Sequence, residues 1–284
     1  MRKPPKLGQS DLSTAQGDED MTANRFTALR CQVKGVEAVE AETARTFDRH
    51  IHEQFGIGLI ARGAQRSASG RGPVEAVAGD VITVNPGEVH DGAPVGDGGR
   101  AWRMLYLAPA VIDRAAADIS DGRRGGASVE FTHPALRDAR LASGFQALFT
   151  AATSGQPLDA LLLPLLAGLL AIRPRSAAPL AAGIAVARQR MDDDPAAVLT
   201  LEVLARDAGL GRYQFLRGFA RATGLTPHAY LLQRRVNLAR RLVADGVPLA
   251  EAAVASGFSD QSHMTRLFVR TFGMGPGAYA QAVR

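Results

Sequence analysis

The hydrophobic pattern changes period along the chain. Over residues 26–107 apolar side chains come in short runs, among them Gly58-Leu59-Ile60 and Val81-Ile82-Thr83-Val84, separated by glycine-rich turns. Short runs punctuated this often predict an antiparallel barrel or sandwich. After Pro109 the period becomes helical. Residues 110–119 are alanine-rich, and over 135–152 Leu136, Leu141, Phe145, Leu148 and Phe149 recur near 3.6 residues. Pro157 then opens the leucine-rich run 158–172, which predicts a buried helix with the proline in its first turn. These helices either cover the sheet's own core or pair with a second copy of the chain. Residues 174–179 carry two prolines among small side chains and predict a linker.

Beyond the linker the helical period persists to the end. Ile184, Ala187 and Met191 share one face of a helix over 180–191. Two helix pairs follow, over 201–208 and 211–222 and over 248–255 and 259–271, joined by a long helix that begins at Pro227. Gly209 and Gly257 stand where each pair must turn sharply, in a backbone conformation that glycine tolerates. Phe215 and Phe219 are four apart and face inward, which turns Arg212, Tyr213, Leu216 and Arg217 outward. In the second pair Met264, Leu267 and Phe268 face inward. Gln261, Ser262, His263, Thr265 and Arg266 face outward, with Ser259 as the expected N-cap.

The two pairs are copies of one unit. A shift of 48 residues carries Leu249, Ala253 and Gly257 onto Leu201, Ala205 and Gly209. A shift of 49 carries Arg266, Phe268, Arg270, Gly273, Pro276 and Tyr279 onto Arg217, Phe219, Arg221, Gly224, Pro227 and Tyr230. The chain therefore carries a duplicated helix-turn-helix.

Charge sharpens this picture. The 284 residues have a formal net charge of +5, and residues 180–284 hold 13 arginines, no lysine and 8 acidic residues, which accounts for all of the excess. A positive surface on a helix-turn-helix suits a phosphate backbone. The long helix adds Arg234, Arg235, Arg240 and Arg241 to that surface. Glutamine can pair with adenine and arginine with guanine in the major groove. Arg217 and Arg266 are open to either base or phosphate contact.

The rest of the composition mainly excludes. A single cysteine, Cys31, rules out an intrachain disulfide and a cysteine metal cluster. The first 21 residues lack an apolar run, so no secretion signal is predicted, and the longest apolar run is too short to span a bilayer. A cytoplasmic protein is expected. Residues 1–24 are polar and aperiodic and predict a disordered arm. The remaining boundaries are 25–173 for the strand-rich domain and 180–284 for the helical one.

Histidines mark the strand-rich part. His50-x-His52 enters one strand, and Gly79 to His90, GDVITVNPGEVH, supplies a strand, a Pro-Gly turn and a third histidine. The latter resembles the second motif of cupin barrels, with Asn85 where a proline is usual. Both also resemble the effector-binding domain of AraC-type regulators, in which H-x-H and P-G-E-x-H-D recur, here as Pro86 to Asp91. Metal cupins add a glutamate after the second histidine; the residues here are Glu53-Gln54-Phe55-Gly56-Ile57, and Glu53 would point to the opposite face. A hydrogen-bonding or pocket-lining role for His50, His52 and His90 is therefore favoured, and neither a metal nor another cofactor is assigned. Trp102 and Arg103 complete the candidate effector pocket, Trp102 also being a candidate core residue.

The helical part resembles the AraC/XylS-type DNA-binding domain. G-F-S-D-Q-S-H, R-x-F, F-G and P-x-x-Y carry the likeness in the second unit; A-x-x-A-G-L, R-x-F and T-G-L-T-P-x-x-Y carry it in the first. Met264, Ala252 and Gly211 depart from the usual phenylalanine, valine and capping serine. The resemblance implies an α+β multidomain chain. An N-terminal antiparallel cupin-like β-barrel with flanking helices would bind a small-molecule effector, and the C-terminal all-α domain would read DNA. It further implies a non-enzymatic transcription regulator, most often an activator, that acts as a homodimer with RNA polymerase. A metal-dependent cupin enzyme tethered to DNA, and a regulator whose barrel only dimerises, are the alternatives.

Overall fold

The computed structural model describes residues 24–120, 128–173 and 181–283. The expected arm, except for Asn24, and the expected linker lie outside them. The first part builds strands β1 (Arg25–Leu29), β2 (Val36–Thr43), β3 (Phe47–His50), β4 (Phe55–Ser69), β5 (Gly72–Val77), β6 (Val81–Val84), β7 (His90–Pro94) and β8 (Arg100–Leu107). Helix α1 (Pro109–Ile119), β9 (Ser128–Phe131), β10 (Ala135–Leu136), α2 (Ala139–Ser154), α3 (Asp159–Leu169) and β11 (Leu170–Arg173) follow.

The sheet is antiparallel but is not closed into a barrel, which corrects the sequence expectation. Its main path runs β1-β2-β8-β4-β6-β10, and β1 and β10 do not pair with each other. Strand β4 explains the departure. Its first half pairs with β8 and β6, its second half with β5 and β7, and the register shifts between Ile60 and Arg62. A bulge of this kind bends a strand, so β4 belongs to two leaves that face each other across a cavity. One open edge is limited to the two residues of β10, and the other lies beside the helical part of the chain.

Period-two alternation divides β8 between two environments. Leu105 and Leu107 are buried in the core that the sheet forms with Phe145, Leu148 and Phe149 of α2 and Leu162, Leu165 and Leu166 of α3. Trp102, Met104 and Tyr106 face the cavity. Gly56 and Gly58 on neighbouring β4 make room for Met104, because a Cβ on either would come within about 2.5 Å of its side chain. The α2 helix thus spends its apolar face on the sheet, and α3 packs on α2 and α1. Two expected boundaries move. Ala135 and Leu136 pair with β6 and the helix starts at Ala139, because Asp138 caps it by accepting from the Arg140 and Leu141 N–H groups. The leucine run is helical only through Leu169; residues 170–173 turn into β11 beside β9.

The second part consists of α4 (Ala182–Asp193), α5 (Leu201–Asp207), α6 (Arg212–Thr223), α7 (Pro227–Ala244), α8 (Leu249–Ala255), α9 (Gln261–Phe272) and α10 (Pro276–Val283). The repeat is structural as well as sequential. Phe219 meets Tyr230 with ring centroids 5.4 Å apart, and Phe268 meets Tyr279 at 5.6 Å. Gly209 and Gly257 have φ of 65° and 83°, as the sharp turns require. Asp260 rather than Ser259 caps α9, accepting from the His263 N–H at 2.7 Å. Gly211 gives α6 no side-chain cap, and Gln214 instead reaches back to accept from the Gly211 N–H.

Candidate functional site

His50 and His52 are two residues apart and so share one face of the chain. The β3–β7 register sets His90 directly opposite His50. The three rings therefore converge, with centroids 4.3 Å apart for His50 and His90, 5.0 Å for His50 and His52, and 5.2 Å for His52 and His90. The intervening residues point the other way. Ile51 enters the core of the first helix-turn-helix unit, and Glu53 pairs with Arg234 and Arg241 of α7. Burial holds all three rings below the ordinary histidine pKa. His50 is pushed down to about 3, first by burial and then by His90. All three are neutral at pH 7.

The rings line a cavity with about 120 Å³ of interior space. Phe26, Phe47, Trp102, Met104, Tyr106, Ile82 and Val84 make it largely apolar. Arg100 is its unusual component. It is only 1% exposed, and its guanidinium donates to the Gln65 side chain and to the carbonyls of Arg45 and Gly92. Among the described residues no carboxylate pairs with it. It lies 4.9 Å from the Trp102 ring centroid, and burial lowers its pKa to about 10. Trp102 thus lines the cavity, as the sequence suggests. Arg103 does not: it is the next residue along β8, points to the opposite face and pairs with Glu40 at 2.8 Å. The same alternation would have identified Arg100, Met104 and Tyr106 from Trp102.

The far wall was not legible in the sequence, because it belongs to the helical part. Arg240, Thr271, Phe272, Met274 and Tyr279 close the cavity. Arg240, expected on an exposed basic face, is buried. It pairs with Glu37 of β2 at 2.7 Å and donates to the Tyr279 hydroxyl, which donates in turn to Glu37. Burial would depress the Arg240 pKa, but Glu37 raises it instead. Further bonds cross the same boundary. Arg270 of α9 pairs with Asp48, Arg45 donates to the carbonyls of Val269 and Arg270, and Asn237 donates to the Ile51 carbonyl. Arg235 also turns inward, to the carbonyls of Pro195 and Ala197. The long helix is therefore mostly a docking element and much less a free basic face.

The C-terminal ends of α6 and α9 face the sheet domain. Each ends in a left-handed glycine, Gly224 and Gly273, against which Val89 and Phe26 pack. The N-terminal ends point away. Arg212, Tyr213, Arg217, Gln261, Ser262 and Arg266 are exposed, while Leu216, His263 and Thr265 are half-buried beside them. Tyr213 is 80% exposed, an unusual placement for an aromatic ring. This end of a helix-turn-helix is the one that reaches base edges.

Comparison with known proteins matches both parts. Residues 33–170 match the model of the AraC-like ligand binding domain, and 204–282 match a helix-turn-helix domain. The chain is 27% identical over 226 residues to the HTH-type transcriptional regulator YbfI of Bacillus subtilis (strain 168), covering 77% of this chain and 81% of that protein. It is 33% identical over 97 residues to the RCS-specific HTH-type transcriptional activator RclR of Escherichia coli (strain K12), which is 34% of each chain. A crystal structure of ToxT from Vibrio cholerae strain SCE256 with a bound unsaturated fatty acid shares the fold, with a TM-score of 0.55 and 13% identity, covering 92% of this chain and 97% of that one. Among the described residues no helix is long and apolar enough to cross a membrane.

Proposed function

Since the chain belongs to the AraC-type family of transcription regulators, we propose that it is an activator whose cavity takes an anionic, largely apolar small molecule and passes its presence to the reading helices. Residues 25–173 are the sensing domain and 180–284 the reading domain in this proposal. One observation carries it: the cavity walls come from both parts, with Arg100 and the histidines on one side and Arg240 and Phe272 on the other. An occupant touching both walls favours one arrangement of the two parts over another, and only such differential contact shifts an equilibrium. Arg100 sets the sign of the ligand's charge, because a buried guanidinium without a carboxylate partner is costly until an anion joins it. The ToxT structure with its bound fatty acid gives the same chemical class independent support.

On the reading side, α6 and α9 enter adjacent major-groove segments. Arg212, Tyr213, Leu216 and Arg217 serve one half-site; Gln261, Ser262, His263, Thr265 and Arg266 serve the other. Homodimerisation and contact with RNA polymerase belong to the same proposal, on the strength of the family likeness. Paired ligands test the effector class. Medium-chain and aromatic carboxylic acids are compared with their amides in thermal unfolding. At 100 times its Kd an acid adds about 2.7 kcal/mol to stability. The acid is expected to outperform its amide in the native chain and to lose that advantage in Arg100→Gln. Equal shifts for acid and amide would sink the assignment of charge. The DNA side is tested by anisotropy against the region upstream of the chain's own gene, with and without the ligand; no sequence preference in either state would sink the regulator reading.

A further inference from the structure

The hydrogen bonds of the histidine cluster decide more than its sequence did. Nδ1 of His50 lies 2.7 Å from the Asp48 carbonyl, and Nδ1 of His90 lies 3.1 Å from the Glu88 carbonyl. A carbonyl only accepts, so each Nδ1 carries the proton and each Nε2 keeps its lone pair. In both cases the partner is the carbonyl two residues earlier, so one local device fixes both rings. A backbone carbonyl on the far nitrogen is also the usual way a metal-binding histidine is oriented and made more basic. The cluster offers three ligand atoms within 4.8 Å of one another. Two nitrogens on one tetrahedral ion stand roughly 3.4 Å apart when each bond is about 2.1 Å, so shifts of about 1 Å would bring them together.

We propose that His50, His52 and His90 form a three-nitrogen site for a divalent transition-metal ion, with the remaining coordination positions open to the effector cavity. Three imidazoles suit zinc, nickel, copper or iron(II), and cobalt can report for them. The glutamate that metal cupins add is absent, and its place is not taken by a neighbour. Glu53 is held by Arg234 and Arg241, and Glu88 is held by Asn85. Three protein ligands plus an open position is the arrangement of a site that binds an exogenous ligand. Two positive charges added to the cavity of Arg100 call for an anionic donor at that position, which fits the acidic molecule proposed above. The site also adjoins the reading domain: the His52 and Phe272 rings are 6.3 Å apart. The ion's role in sensing rests on the function proposed above, whereas its binding does not.

Cobalt(II) titrated into the chelator-washed full chain tests the binding without DNA. The expected result is saturation at one ion per chain, with visible absorption bands of a nitrogen-bound cobalt that zinc(II) bleaches by competition. Replacement of His50 or His90 by alanine is expected to weaken binding at least about tenfold, since even outer partners of such ligands contribute that much. His133→Ala with His228→Ala, both outside the cluster, should leave the titration unchanged. No saturable binding by the native chain would overturn the site, as would undiminished one-to-one binding in a His50→Ala/His90→Ala chain. The native titration requires no altered chain to fold. Should it fail while carboxylates still shift DNA affinity, only the metal site falls; should metal bind while DNA affinity never responds, only the sensing role falls.

Discussion

At the residue scale the three histidines give the metal-free protein a pH dependence with a definite sign. Each is buried as the neutral ring, with a pKa below the unfolded value of 6.5. As pH falls below 6.5 the unfolded chain binds protons that the folded chain refuses, so their stabilising contribution is full above that pH and is lost below it. For His50 the loss continues down to about pH 3. At about 1.4 kcal/mol per pH unit, one such histidine costs roughly 2 kcal/mol between pH 6.5 and 5. Unfolding of chelator-treated protein is therefore expected to become easier from pH 7 to 5, and His50→Gln should flatten that slope. A slope identical in the two proteins would mean that His50 titrates freely in the folded state. The histidines themselves were legible in the sequence, because H-x-H and the Pro-Gly-Glu-x-His segment are local. Their capacity to converge was not, since it depends on the β3–β7 register. Arg103, expected at the pocket, stands outside the cavity for the opposite reason: neighbours in sequence are on opposite faces of a strand.

At the element scale the duplicated unit was almost fully legible, because its signals all lie within about 30 residues. The buried pair of side chains four apart (Phe215 and Phe219 in one copy, Met264 and Phe268 in the other), the turn glycines and the proline that opens each following helix keep their roles in both copies. The cap of α9 was misplaced by one residue, since serine and aspartate are both good caps and only the chain's path chooses between Ser259 and Asp260. Phe219 and Phe268 are each 0% exposed, so replacing either with alanine is expected to cost about 3–5 kcal/mol. Chemical denaturation measures this directly, and a cost under about 1 kcal/mol would contradict the packing. Arg266→Ala is expected to impair recognition in one half of a bipartite DNA site and leave the other half protected in footprinting. Uniform loss across both halves would mark Arg266 as a phosphate anchor or report collapse of the unit.

At the scale of the whole molecule, the sequence separated two domains and the structure joins them. Ile51 packs into the core of the first unit, and Phe26, Ala28 and Val39 pack against that of the second. No periodicity foretells such contacts, because they join residues far apart along the chain. Glu37 lies at the centre of the boundary, bonded to Arg240, Tyr279 and Gln54. Glu37→Gln is expected to loosen the two parts, seen as faster hydrogen exchange along α7, and to make DNA binding less dependent on effector. Unchanged exchange would show that apolar contacts alone hold the boundary. The same ion pairs have a consequence for ionic strength. Arg234, Arg240, Arg241 and Arg270 each pair with an acid of the sheet domain, Arg234 and Arg241 sharing Glu53, so three carboxylates offset four arginines. Pairing in the docked state weakens their hold on DNA phosphates, most of all for the buried Arg240, so the positive charge counted along the sequence overstates the charge that DNA meets. Each phosphate contact contributes a slope of about −0.9 to log K against log salt. A shallow slope in the docked state that steepens when Glu37 or Asp48 is neutralised would measure, in whole charges, how many arginines the sensing domain withholds.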